Sequence, residues 1–219
     1  MVSNYAVTRR GIERILEFMA SPAVQSEPEL PFARVLDPGL NTACDGQNDG
    51  RTVSLEQYLH TIYSPDCDFI DGHLEERNMG ELDHGDLQTE IAFLFRTMSP
   101  EWQVKAVVEL RLQVRPKRFR VPDVMVLHPG QARTQIIREA PLLCIEGLSP
   151  EDTFKRLREK VDDYLHLGVE HIWAFDPASR EAFRCDAGGF HKVTTPDLAL
   201  PDSPISLNLP ALFSILDDR

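Results

Sequence analysis

The chain has no run of eighteen apolar residues anywhere in its 219, and its amino terminus lacks a charged stretch followed by an apolar one. A membrane-spanning helix and a secretory leader are therefore not expected, and a cytoplasmic protein is. Cysteine is scarce and scattered: the four, at positions 44, 67, 144 and 185, form no C-x-x-C pair, and Cys144 lies inside an apolar stretch. Neither a zinc site nor a disulfide framework is indicated, and reduced thiols are expected. A basic excess is missing as well. The net charge is -12 and the pI about 5.0, which excludes coating nucleic acid through a broad basic face but leaves room for a local basic groove. No glycine-rich nucleotide loop, G-x-S-x-G elbow or Cys-His nucleophile pair is present, which removes three common catalytic chemistries.

What is present concentrates between Pro122 and Lys160. Asp123 opens the alternating run D-V-M-V-L, which predicts a strand, and Pro141 to Leu148 is a short apolar run with Glu146 near its carboxyl end, which predicts a buried one. If the two are antiparallel neighbours, the start of the first faces the end of the second, and the carboxylates of Asp123 and Glu146 meet at one edge of the sheet. Two carboxylates that close need a counter-charge, which a divalent cation would supply.

The residues that follow predict a helix. Ser149 is suited to N-cap it with Pro150 at the first helical position, and Phe154, Leu157, Val161, Tyr164 and Leu165 share an apolar face. Gly168 is placed to end it. The run E-H-I-W-A-F-D at 170–176 predicts another strand, giving a strand–helix–strand unit over 141–176. Lys160 falls between Leu157 and Val161, where its ammonium can edge back toward the sheet.

Elsewhere the signals are coarser. Residues 1–50 resemble an appendage: Thr8 could cap a helix through about Met19, and 41–50 has linker composition. The remainder, 51–219, starts with a Ser54/Gln57 capping box and a short helix through about Ile62. D-G at 71–72 predicts a hairpin over 67–77. A helix is expected from His84 to Met98, with Leu87, Ile91, Leu94, Phe95 and Met98 as its stripe, then one alternating strand over 102–114. The basic run R-P-K-R-F-R at 115–120 is either a solvated hairpin loop or a phosphate-contacting strip through Arg115, Lys117 and Arg118. The connection 128–140 is long enough for a short helix or a flap. A further hairpin is expected over 181–193. The fold class is therefore α/β, with a mixed β-sheet, helices on both faces and peripheral β-hairpins.

One ordered set carries a resemblance. Glu146, Leu148, Ser149, Pro150, Lys160, Tyr164, Gly168, Val169, Trp173, Asp176 and Pro177, preceded by D-F-I-D-G-H-L at 68–74, His84 and R-V-P-D at 120–123, resemble the Uma-two family of putative restriction endonucleases. That family is a bacterial branch of the PD-(D/E)XK nuclease superfamily, and the likeness spans residues 53 to 213 or so. It implies a restriction-endonuclease-like core. In the superfamily a lysine normally lies two residues after the second acid; here that position is Leu148, and the family pattern instead supplies Lys160. The resemblance also implies accessory roles for an acid at Asp68, for an acid on the first core helix, where Glu90 is best sited, and for His84. Each has a plainer reading: a turn or edge-strand acid, a solvated helix-face carboxylate, and a hydrogen-bonding histidine.

The implied chemistry is metal-dependent hydrolysis of nucleic acid, DNA in the first instance. Asp123 and Glu146 would hold magnesium or manganese with the Gly147 carbonyl as a further ligand, and Lys160 would orient water or stabilise phosphate charge. A homodimer suits the cutting of both strands. Two rivals stand beside this: a non-catalytic nuclease-fold protein acting as an interaction module, and a protein whose Asp123, Glu146 and Lys160 form a buried ion-pair network.

Overall fold

The computed structural model describes residues 52–63, 67–77, 81–132, 134–150 and 152–217. The expected helix through Met19 and the linker over 41–50 lie outside these residues. In chain order the elements are α1 (Leu55–His60), β1 (Cys67–Ile70), β2 (His73–Glu76), α2 (Leu82–Trp102), β3 (Lys105–Val108), β4 (Leu112–Arg115) and β5 (Arg118–Arg120). They continue with β6 (Val124–Leu127), β7 (Leu143–Gly147), α3 (Phe154–Leu167), β8 (His171–Asp176), β9 (Glu181–Asp186) and β10 (Gly189–Lys192). The chain closes with β11 (Asp197–Ala199), β12 (Ser206–Asn208), α4 (Leu209–Ser214) and a 3-10 turn at Ile215–Asp217.

The central sheet runs β10-β9-β8-β7-β6-β3. It is mixed, because β7 and β8 are parallel across the α3 crossover while the other pairs are antiparallel. Side chains alternate across a strand, and here the alternation splits two cores. Val124, Val126, Leu143, Ile145, Trp173 and Phe175 pack with Leu87, Ile91 and Phe95 of α2. Met125, Leu127, Cys144, Ile172 and Ala174 pack with Leu157, Val161 and Tyr164 of α3. Helices thus cover both faces, as the α/β pattern predicted. Each fully buried Val, Leu, Ile, Phe or Met among them contributes about 1.5–3 kcal/mol, so Val161→Asp would undock α3. A second sheet, β2-β1-β5-β4, carries the hairpins, with Asp71 and Gly72 both at positive φ in the tight turn. No helix among the described residues is long and apolar enough to cross a membrane.

Several expectations are corrected. The single strand over 102–114 is broken at Glu109, whose φ of 49° turns the chain out of the central sheet, so β3 and β4 belong to different sheets. The helix after β7 begins at Phe154, not Pro150: Thr153 caps it by accepting from the Arg156 N–H at 3.2 Å. Ser149 is instead held in its own turn, its N–H and hydroxyl both donating to Asp152 Oδ2 at 2.9 and 3.0 Å. Phe154, placed on the apolar face by spacing, is 71% exposed because it sits at the helix's outer end. Helix α2 extends past Met98 and through Pro100 to Trp102. Proline there forgoes one backbone hydrogen bond, to the carbonyl of Arg96, on an exposed part of the helix. Residues 128–140 hold no described helix, and they are tied down rather than flap-like: Ile137 donates to the Arg111 carbonyl at 3.0 Å and accepts from Gln113 at 2.8 Å. Cys144 and Cys185 are free and buried, whereas Cys67 is disulfide-bonded, against the expectation of reduced thiols throughout.

Candidate active site

Val124 pairs with Ile145 across antiparallel β6 and β7, so Asp123, one residue ahead of β6, falls opposite Glu146. The two acids are buried together. Asp123 Oδ2 accepts from the Gly147 N–H at 2.7 Å and lies 3.4 Å from His84 Nε2, while Oδ1 accepts from Arg77 Nη2 at 2.6 Å. Burial works to raise this carboxyl, but the His84 hydrogen bond and the charges of Lys160, His84 and Arg77 outweigh it and hold it below the ordinary carboxylate range.

Glu146 shows the opposite balance. Its Oε2 accepts from Lys160 Nζ at 2.7 Å and its Oε1 from the Tyr164 hydroxyl. Burial, with the Asp123 charge adding to it, pushes the carboxyl up against the pull of Lys160 and Tyr164. Burial would lower the Lys160 ammonium, but the charges of Glu146, Asp68 and Asp123 overcome it and raise its pKa, so it stays charged. Lys160 and Tyr164 are one helical turn apart, which is why both reach one carboxylate.

The structure therefore brings Asp123, Glu146, Gly147, Lys160 and His84 together. His84 is largely buried at the start of α2, its side chain 13% exposed, and its ring covers Gly147 so closely that an added Cβ there would stand 3.2 Å from Cε1. The hydrogen bond to Asp123, with burial opposing, raises the imidazole pKa and favours its charged form. A cleft of about 240 Å³ is lined by His84 together with Leu148, Ser149, Asp152, Leu157 and Asp176.

Asp68 is neither a turn acid nor an edge-strand acid. It is fully buried on β1, which lies inside its sheet, and it accepts from Arg120 Nη1 and the Val121 N–H, each at 3.0 Å. The basic run forms the β4–β5 hairpin, and two of its three nominated side chains are ion-paired internally. Arg115 and Arg118 donate to Asp163 Oδ1 at 3.2 and 3.1 Å, while Lys117 is exposed at the turn and has no ion pair among the described residues. Glu90 is half-buried on α2 and is joined to neither Asp123 nor Glu146 by a described hydrogen bond; the residue of α2 that does reach Asp123 is Gln88, which donates to its backbone carbonyl at 3.0 Å.

Three contributors escaped the sequence reading, Arg77, Gln88 and Asp163; Arg120, joined to Asp163 at 2.9 Å, lay in the family register and the basic run without an assigned role. Tyr164 stood in the family register without an assigned role. A charged residue at an apolar helical position, as Asp163 is between Val161 and Tyr164, is the one signal that could have flagged a buried partner.

Comparison with known proteins gives the family. No curated protein matches the chain. A crystal structure described as a putative nuclease belonging to DUF820, from Anabaena variabilis ATCC 29413, shares the fold with a TM-score of 0.64 at 22% identity, over 75% of this chain and 99% of that one. The family model described as Uma2, putative restriction endonuclease, matches residues 55–214. With most of its length inside that match, the chain belongs to the Uma2 family.

Proposed function

We propose that the chain is a magnesium- or manganese-dependent endonuclease acting on DNA. The observation that carries the reading is the convergence of Asp123 and Glu146 on one sheet edge with the Lys160 ammonium 2.7 Å from Glu146, in a chain of a nuclease family.

The donor set suits a hard divalent cation. An ionised carboxylate oxygen has two acceptor positions, and Asp123 Oδ1, Glu146 Oε1 and Glu146 Oε2 each carry one described hydrogen bond. Among the described residues no cluster of three or more His, Cys, Asp or Glu side chains gathers as a ligand set. The remaining positions would therefore fall to water and the Gly147 carbonyl, as magnesium's preference for keeping waters allows. The cation, when bound, supplies Lewis acidity toward phosphate and a more acidic water.

The chain's own groups do the rest. Lys160 orients the attacking water and donates to the phosphate oxygen on which charge grows. Tyr164 and Gly147 fix the rotamers of Glu146 and Asp123. Water adds to phosphorus, one P–O bond breaks, and the leaving oxygen takes up a proton. Lys117, exposed at the β4–β5 turn, would contact the nucleic-acid backbone, two copies would serve the two strands of a duplex, and the compartment implied is the cytoplasm. Residues 1–50 are an appendage to this domain.

The test is a cleavage panel of single- and double-stranded DNA and RNA with magnesium, manganese or EDTA. Metal-dependent cutting that disappears in Asp123→Ala and Glu146→Ala, along with manganese binding by calorimetry, is expected. Equal manganese binding by those variants removes the site. One observation favours the rival reading of a buried ion-pair network: each acid already faces an internal cation, Asp123 with Arg77 and Glu146 with Lys160. Thermal stability unchanged by manganese or EDTA would support that rival.

A further inference from the structure

The charge balance at the acids singles out Arg77. Asp123 and Glu146 are already paired with Arg77 and Lys160, and His84 stands 3.4 Å from Asp123 as well. A divalent cation between the acids would leave the pocket overcharged unless one of these partners withdraws. Both cations are nearly buried, with Lys160 12% and Arg77 14% exposed, but Lys160, held on Glu146 at 2.7 Å, has no second acid within ion-pair distance among the described residues. Arg77 has one. Its Nη1 lies 3.7 Å from Glu109 Oε1, and Glu109 is 55% exposed. Glu109 is also fixed in place: it holds a left-handed φ of 49°, and its N–H donates to the Asp123 carbonyl at 3.3 Å. The guanidinium therefore spans the metal acid on its buried side and a second acid on its open side.

Resting on the metal-dependent nuclease reading, we infer that Arg77 is a substrate-phosphate residue held in reserve on Asp123. It occupies Asp123 Oδ1 in the metal-free protein and transfers to the Glu109 side when a divalent cation is bound. There its planar fork meets a phosphate oxygen of the nucleic acid. A guanidinium that leaves one acid for another at the mouth of the site neutralises charge in both states. An arginine that merely propped Asp123 would need no second acid.

The two roles predict opposite signs. Calorimetric titration of manganese into the full chain is compared for the parent, Arg77→Gln and Glu109→Gln, with circular dichroism as the folding check. Removing the competing cation tightens manganese binding in Arg77→Gln by about tenfold, the modest end of what one unit charge beside a buried site is worth. Removing the exit weakens manganese binding in Glu109→Gln by a few-fold. With calcium in place of manganese, to hold the metal site without turnover, Arg77→Gln binds a fluorescein-labelled DNA duplex at least about fivefold more weakly, because a charge-assisted phosphate contact is gone.

Manganese binding that is equal or weaker in Arg77→Gln overturns the inference, as does manganese binding unaffected in Glu109→Gln. The second variant decides alone if the first does not fold. Tighter manganese with unchanged duplex binding overturns the phosphate role. If the parent binds no manganese at millimolar concentration, the metal reading falls and takes this inference with it, whereas parent binding that Arg77→Gln leaves unchanged sinks only the inference.

Discussion

Asp163→Asn removes one charge and changes almost no volume, yet it strikes the joint between the two sheets. Asp163 is 1% exposed on the inner face of α3, three residues after Lys160 and one before Tyr164. It accepts from Arg120 at 2.9 Å, Arg118 at 3.1 Å and Arg115 at 3.2 Å. These pairs are not of equal worth. Arg115 and Arg118 have side chains 39% and 24% exposed, so solvent screens them and each is discounted to well under about 1 kcal/mol. Arg120 is 2% exposed, and stripping a buried cation of a partner costs about 3–5 kcal/mol. Arg120 keeps Asp68 at 3.0 Å and Glu75 at 2.8 Å, and the asparagine oxygen can still accept, so the lower figure, about 3 kcal/mol, is expected.

Urea unfolding followed by circular dichroism measures it. The loss should be insensitive to 0.5 M sodium chloride, because a buried pair is poorly screened. The coupling with Arg120→Met in a double-mutant cycle should account for most of it. A loss below about 1 kcal/mol, or one that salt abolishes, would show that Asp163 is held by the screened outer arginines and that the buried pair is not the joint.

Three other expectations are simpler to check. Lys160→Ala should keep manganese affinity within a few-fold yet slow single-turnover cleavage by about a hundredfold to a thousandfold, while Lys155→Ala, whose side chain is 87% exposed, changes little. Gly147→Ala forces a Cβ to within 3.2 Å of His84 and should cost about 1–3 kcal/mol in urea unfolding, an overpacking cost that vanishes in the His84→Ala background if the clash is its cause. Burial pushes the Cys185 thiol up to about 12 and the Cys144 thiol higher than usual. Since the thiolate reacts, native protein at pH 8 should resist iodoacetamide and label about tenfold faster per pH unit; mass spectrometry showing rapid, pH-independent labelling would refute the burial argument.

Much of this was legible from residue order because strand and helix periods report faces directly. The alternation D-V-M-V-L and the apolar run ending at Glu146 set β6 and β7, and their antiparallel pairing set the meeting of Asp123 and Glu146. The D-G turn and the Ser54 cap, which accepts from Gln57 N–H at 3.1 Å, were equally local. What stayed hidden depends on pairing at long sequence distance. Nothing near Arg77 marks it as the partner of Asp123, forty-six residues on. The break at Glu109 could not be seen because a left-handed turn at a glutamate leaves the hydrophobic alternation on either side intact. The basic run hides its pairing for a related reason: a charge count cannot show that Arg115 and Arg118 are ion-paired with Asp163.

The position of Lys160 follows from the sheet's own period. On β7, Cys144 faces α3 while Leu143 and Ile145 face α2, so Glu146 points toward α3, and Leu148, two residues further, packs on that same side. A lysine in the Leu148 slot would thus project onto the surface that α3 already covers. An ammonium arriving from α3 reaches the same carboxylate from the opposite direction, as the Lys160 to Glu146 hydrogen bond does at 2.7 Å. The exchange has a packing advantage. Leu148 can join the apolar cluster around Leu157 and Val161, where a lysine stem would leave its charge needing a partner, and the helix supplies Tyr164 to the same acid one turn later. A cation carried by α3 is only as well placed as the helix itself. That ties Lys160 to Asp163 and through it to Arg120, so a substitution at the buried joint between the sheets should lower cleavage even though it touches neither acid.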